Sequence, residues 1–211
     1  MGRGETWGRV HAERAALAED LADLPERAWA TPSLCVGLSV REVLAHMTAA
    51  ATLNPITWLA GVVRCRFDFD EQVAMRLAEH VGATPAETLT RFRRVRDSTT
   101  APPGPVVAWL GEVVVHSEDI RRPLGIRRDH PVETLTQVAE YYRRSDLVVL
   151  AKGRVRGLRL RATDGPFTTG AGPLVRGTTL ALIMAMTGRV AYCDELEGDG
   201  VATLRARAHL S

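Results

Sequence analysis

The sequence is poor in cysteine and in aromatic side chains, and it has no long apolar run. Cys35, Cys65 and Cys193 are the only cysteines in 211 residues. They are far apart, odd in number and form no C-x-x-C, which excludes a disulfide framework and a cysteine-only metal site and suits a reducing compartment. Aromatic residues make up 5% of the chain, so a core must rest on Leu, Val and Ala, a composition that favours helices packed on helices. No apolar stretch approaches the ~18 residues of a membrane-spanning helix. The opening MGRGETWGRV lacks the apolar centre of a secretion signal. The expectation is a soluble, cytoplasmic protein.

An excess of one charge is lacking too. Lys and Arg number 27 against 25 Asp and Glu, a net charge of +2, which argues against a nucleic-acid-binding polyelectrolyte surface. Arginines do cluster locally, at Arg91, Arg93, Arg94 and Arg96 and again at Arg121, Arg122, Arg127 and Arg128. They read as solvated helix faces, with anion binding the lesser alternative. Several catalytic signatures are missing: no G-x-G-x-x-G between strand and helix, no Walker loop, no G-x-S-x-G elbow, no H-E-x-x-H and no zinc-finger spacing.

What is present is helix grammar. Trp7, Val10, Leu17, Leu21 and Leu24 recur at helical spacing over residues 4–24. Ser39 and Glu42 form a capping box, with Leu38 and Val43 placed as a hydrophobic staple, and predict a second helix from Val40 to about Asn54. Pro55 ends or bends it, and ITWLAGVVR continues at an angle. A weaker helix spans 70–79. Thr84, Pro85 and Glu87 open another, running to about Arg96. After the loop STTAPPGP, residues 106–122 form a Val-rich helix stopped by Pro123, and a last long helix covers 131–150. The pattern then changes. GRVRGLRLRATDGPFTTG alternates like strands around an Asp164-Gly165 turn, GTTLALIMAMTGR is a compact helix, and VATLRAR reads as a final strand. The domains expected are a helical one over 1–150 and a small α+β module over 151–211.

Chemistry concentrates at Glu112 and His116. Four residues apart, they project from one helical face among Leu110, Val113 and Val115. An unpaired carboxylate there is costly, and a metal ion is one partner that would offset it. Helical bundles build such sites from inward-facing carboxylates and histidines. His46, beside Val43, Leu44 and Met47, is the natural third ligand. His11, His80, His130 and His209 fall at edges, near caps or at the C-terminus. Spacing leaves the bland reading open: an apolar-face histidine is more often a satisfied core residue, and an E-x3-H pair is often a surface pair. Asp119 could orient His116, although pairing with Arg122 is the commoner outcome of its spacing.

The blocks SLCVGLSVREVLAHM, GEVVVHSEDIRRPLG, LALIMAMTGR and GDGVATLRAR together resemble the actinobacterial mycothiol-dependent maleylpyruvate isomerase family, within the DinB-like metalloenzyme superfamily. The resemblance covers nearly the whole chain, with least signal over 55–100. It implies a mainly α protein, a DinB-like four-helix bundle followed by a small α+β C-terminal domain. It also implies a metal triad of His46, Glu112 and His116, with zinc the family's usual metal, and Asp119 in support of that site. The cofactor implied is mycothiol, bound through sulfur at the open metal position and adding to a small electrophile. The adduct rotates and eliminates in an isomerase, and is itself the product in a transferase. Family members bring an arginine from the C-terminal domain to hold an anionic substrate; Arg189 is the best match and Arg176 the runner-up. Leu38 departs from the family's frequent Trp, and the motif fixes the metal rather than the reaction. Expected partners are thus a small-molecule thiol and an electrophilic substrate, with no nucleic acid and no membrane, in a monomer or homodimer. The alternative is a non-catalytic metal-binding protein, a sensor or interaction module, on the same fold.

Overall fold

The computed structural model describes residues 2–66 and 68–208, so His209 lies outside the described residues. The chain divides into two compact units, at Arg127 and Arg128.

The first unit is helical. It contains α1 (Arg3–Asp20), α2 (Val40–Ala50), α3 (Pro55–Arg64), α4 (Phe69–His80), α5 (Pro85–Arg94) and α6 (Val106–Arg121). Four of these form the bundle: α1 packs on α5 and α6, and α2 packs on α5 and α6. The capping box at the start of α2 is present. Ser39 Oγ accepts from the Glu42 N–H, and the Glu42 carboxylate accepts from the Ser39 N–H at 2.8 Å. Such a cap is worth about 1 kcal/mol and fixes the helix that carries His46. At α5, Thr84 caps as expected, while Glu87 reaches one residue further back, to the N–H of Ala83.

Asn54-Pro55 does not bend α2. That helix stops at Ala50, and Asn54 caps a separate helix, its Oδ1 accepting from Ile56 and Thr57 at 2.9 Å each. Asn is a good cap and Pro suits the first turn of a helix, so the pair starts an element more readily than it continues one.

Helix α6 is the centre of this unit. Ala108, Leu110, Val113, Val114, Val115 and Ile120 are all buried, and each large one contributes roughly 1.5–3 kcal/mol by leaving water. Arg121, read from sequence as part of a solvated face, is instead completely buried. Its Nε donates to Asp20 at 2.7 Å and its Nη1 faces Glu118 at 3.5 Å. The end of α6 is thereby tied to the end of α1.

The second unit begins with α7 (Val132–Tyr142) and the short α8 (Ala151–Arg154). Strands β1 (Arg159–Ala162), β2 (Thr168–Thr169) and β3 (Leu174–Gly177) follow, then α9 (Thr179–Met186) and α10 (Val201–Ala208). The sheet order is β2-β1-β3, with β1 antiparallel to β2 and parallel to β3. Asp164-Gly165 lies in the β1–β2 connection, as its turn chemistry predicts. Helix α7, whose Leu135, Val138, Ala139 and Tyr142 are buried, packs with α9 inside the second compact unit. The helix also ends early. Ser145 and Asp146 turn their side chains onto the N–H groups of Leu147 and Gly153, a local alternative to helical bonding.

VATLRAR, expected as a strand, is helix α10. Leu204 and Ala208, four apart, are its buried stripe. The far edge of β3 is already bridged by the backbone of Glu197, which exchanges hydrogen bonds with Arg176 at 2.7 Å each way. Among the described residues no helix is long and apolar enough to cross a membrane.

Candidate metal centre

Because α6 is buried all round, its polar side chains need partners. Arg121 has Asp20 and Glu118. Asp119, completely buried, lies with Oδ2 2.9 Å from His116 Nδ1. Glu112 is the charged exception: its Oε1 is buried and has no hydrogen-bond partner.

Around that orphaned oxygen stand two histidines. His46 Nε2, on α2, is 3.8 Å from Glu112 Oε1, too far for a hydrogen bond. The rings of His46 and His116 lie edge to face, with centroids 5.0 Å apart and planes at 77°. One donor atom each from His46, Glu112 and His116 lies within 4.8 Å of the others. The three residues singled out in the sequence are brought together, and Glu112, being buried, is not half of a surface pair.

The electrostatics fit a cation. Burial pushes the His46 ring down to about 3, and His116 adds to the shift while Asp119 opposes it. At neutral pH the ring is therefore unprotonated, with a lone pair to give. Burial also holds the Glu112 carboxyl above its ordinary range, against the pull of His116 and Arg14. Asp119 faces Nδ1 of His116, which leaves Nε2 as the nitrogen available to a metal. Three N/O donors, one of them an unsatisfied buried carboxylate oxygen, make a set that suits a divalent metal with an open position.

Two neighbours were not read from the sequence. Arg14 on α1 is buried, donates through Nη1 to the carbonyls of Val95 and Ser98, and lies near enough to Glu112 to bear on its charge. Its signal was available: Val10, Arg14, Leu17 and Leu21 share one helical face, so a cation stands inside an apolar stripe. The other is Cys35. The cysteines showed no partner in sequence, yet Cys35 Sγ, a His116 ring nitrogen and an Asp119 oxygen fall within 4.8 Å of one another. The loop holding Cys35 is pinned by the Leu34 N–H to the Asp119 carbonyl at 3.1 Å and turns at Gly37, where φ is +81°.

The two arginines considered for substrate binding are in the second unit. Arg189 is half-buried just after α9, with Nη1 on the Thr187 carbonyl at 2.8 Å. Arg176 is exposed on β3, with Nη1 3.9 Å from Glu197.

Residues 10–104 match the family model described as the mycothiol maleylpyruvate isomerase N-terminal domain. The match contains His46 and stops short of α6. No curated protein matches the chain significantly. The fold is similar to the crystal structure of the mycothiol-dependent maleylpyruvate isomerase, with a TM-score of 0.62 and 15% identity over 94% of this chain and 93% of that one. It is equally similar, with a TM-score of 0.62 and 14% identity over the same shares, to the crystal structure of a histidine-to-alanine mutant of that enzyme. Identity this low speaks for the fold alone, and the family model covers less than half of the chain: what is similar to the mycothiol maleylpyruvate isomerase N-terminal domain is residues 10–104.

Proposed function

We propose that this protein is a metal-dependent enzyme that uses mycothiol, an isomerase or thiol S-transferase acting on a small electrophile. The observation that carries the reading is the unpartnered Oε1 of Glu112, buried between His46 and His116. A carboxylate left this way costs several kcal/mol unless a cation sits beside it. The names of the structural neighbours and of the N-terminal domain supply the thiol and the reaction class.

His46, Glu112 and His116 would hold the metal, taken as zinc, and the metal would supply Lewis acidity that keeps a bound thiol ionised at neutral pH. His46 contributes an unprotonated ring. Asp119 orients His116 and strengthens it as a donor. Arg14 supports Glu112 as a carboxylate. In the second unit Arg189, and after it Arg176, is the arginine assigned to an anionic substrate group.

The test is to incubate metal-loaded protein with mycothiol and a panel of electrophiles, among them cis-unsaturated ketoacids, and to follow thiol consumption and products by mass spectrometry. Thiol adducts identify a transferase. Isomerised substrate that depends on mycothiol without consuming it identifies an isomerase. Unreacted thiol and unchanged substrate across the panel would overturn the reading.

A further inference from the structure

The exposed face of the small sheet has an arrangement that costs stability as it stands. Burial alternates along β1 and β3, with Leu160, Ala162, Val175 and Gly177 inward and Arg159, Arg161 and Arg176 outward. The parallel register sets Arg161 directly beside Arg176. Cross-strand neighbours on one face are close enough to interact, and like charges placed so are destabilising. Proteins usually offset such a pair with acidic side chains. Here Arg159 and Arg161 have no ion-pair or hydrogen-bond partner among the described residues. Arg176 has Glu197, itself exposed, at 3.9 Å, a pair of small worth in water.

The same face is shaped. Arg159, Arg161, Thr163 and Thr168 line a groove of about 510 Å³ that also reaches the turn at Gly165 and Pro166. Thr163 continues the outward series of β1, and its hydroxyl is uncommitted among the described residues. Thr168 donates its hydroxyl proton to the Leu160 carbonyl at 3.2 Å, so the guanidinium groups are the charged donors in the groove. A planar guanidinium presents paired N–H groups that match carboxylate and phosphate oxygens.

From these observations we infer that this sheet face is a binding site for a small dianion, carrying phosphate or paired carboxylate groups, held by Arg159 and Arg161 with Arg176 alongside. The ligand supplies the negative charge that the face lacks, so it should stabilise the protein that binds it. The inference is independent of the metal chemistry proposed above; it gives Arg176 to this face and leaves the substrate role to Arg189.

The test uses the full-length protein at low ionic strength, with pyrophosphate and malonate as separate probes and sodium chloride matched for ionic strength. Expected is a rise in melting temperature that saturates in the millimolar range or below with one or both probes; which probe binds tighter says whether phosphate or carboxylate is preferred. The double variant Arg159→Gln/Arg161→Gln should lose the saturable rise. It should also melt higher than the wild type without a probe, since the repulsion is gone. Arg143→Gln/Arg144→Gln, which removes two arginines already paired with Glu140, is the control and should keep the response. No saturable rise in the wild type, or an equal rise in the Arg159→Gln/Arg161→Gln variant, would overturn the inference.

Discussion

Asp119 Oδ2 accepts a hydrogen bond from His116 Nδ1 at 2.9 Å with no exposure to solvent. Their i, i+3 spacing on α6 lets one helix carry both the proposed ligand His116 and the group that would orient it. Asp119 is placed to decide which ring nitrogen faces Glu112. Asp119→Ala should lower metal affinity about 10–100-fold, while Asp119→Asn, which can still accept through its amide oxygen, should lower it less. Competition with a chromophoric chelator gives both values. Equal affinity in wild type and both variants would remove Asp119 from the site.

The triad itself makes a stoichiometric prediction. If His46, Glu112 and His116 hold the metal as proposed, losing one imidazole should be felt as lost occupancy and not as a small drop in activity. His46→Ala and His116→Ala should each purify with far less than one metal per chain, by elemental analysis, while keeping the helical circular dichroism of the wild type. Full occupancy in both single variants would refute the ligand assignment.

Metal-free protein should become less stable on acidification. His46 has an ordinary value of 6.5, reached in the unfolded chain, and one of about 3 in the fold. Its folded-state value is depressed, so its contribution is present above pH 6.5 and is lost as pH falls toward 3, at no more than ~1.4 kcal/mol per pH unit for one proton. His80, also lowered by burial, acts in the same direction. Glu112 acts oppositely: its raised value makes the fold lose stability as pH rises from 4.5. Urea midpoints of chelator-treated protein between pH 7 and 4 give the slope, and His46→Gln should flatten it relative to wild type. Identical slopes would show that His46 does not titrate as its burial requires.

Much of this was readable from residues alone, and the failures have physical causes. The Ser39/Glu42 and Thr84-Pro85 starts were legible because caps are local chemistry. Glu112 and His116 were legible because a charge inside an apolar stripe is conspicuous at i, i+4. His46 came within reach through the same contrast on α2. Whether the three converge was not legible, since α2 and α6 meet only through tertiary packing. The same holds for Cys35, delivered to His116 by a loop that hydrogen-bonds to Asp119. VATLRAR misled because an alternating reading and an i, i+4 stripe of Leu204 and Ala208 coexist in it. The buried fate of Arg121 depended on Asp20, a hundred residues away in sequence.

Arg14 carries the last prediction. It is buried on α1, and it binds two carbonyls from the end of α5 and its following turn while its charge faces Glu112. Removing the cation leaves Glu112 without that counter-charge and two carbonyls without a donor. Arg14→Met should therefore destabilise metal-free protein by about 1–3 kcal/mol, seen as a lower urea midpoint. Metal-loaded protein should lose less, because the metal then balances Glu112. A double-mutant cycle separates the charge from the packing. If the two groups act as a pair, Arg14→Met/Glu112→Gln should be less damaged than the sum of the single variants, by an interaction energy on the order of 1–3 kcal/mol. Strict additivity would mean that Arg14 serves the Val95 and Ser98 carbonyls alone and has no part in holding the metal ligand.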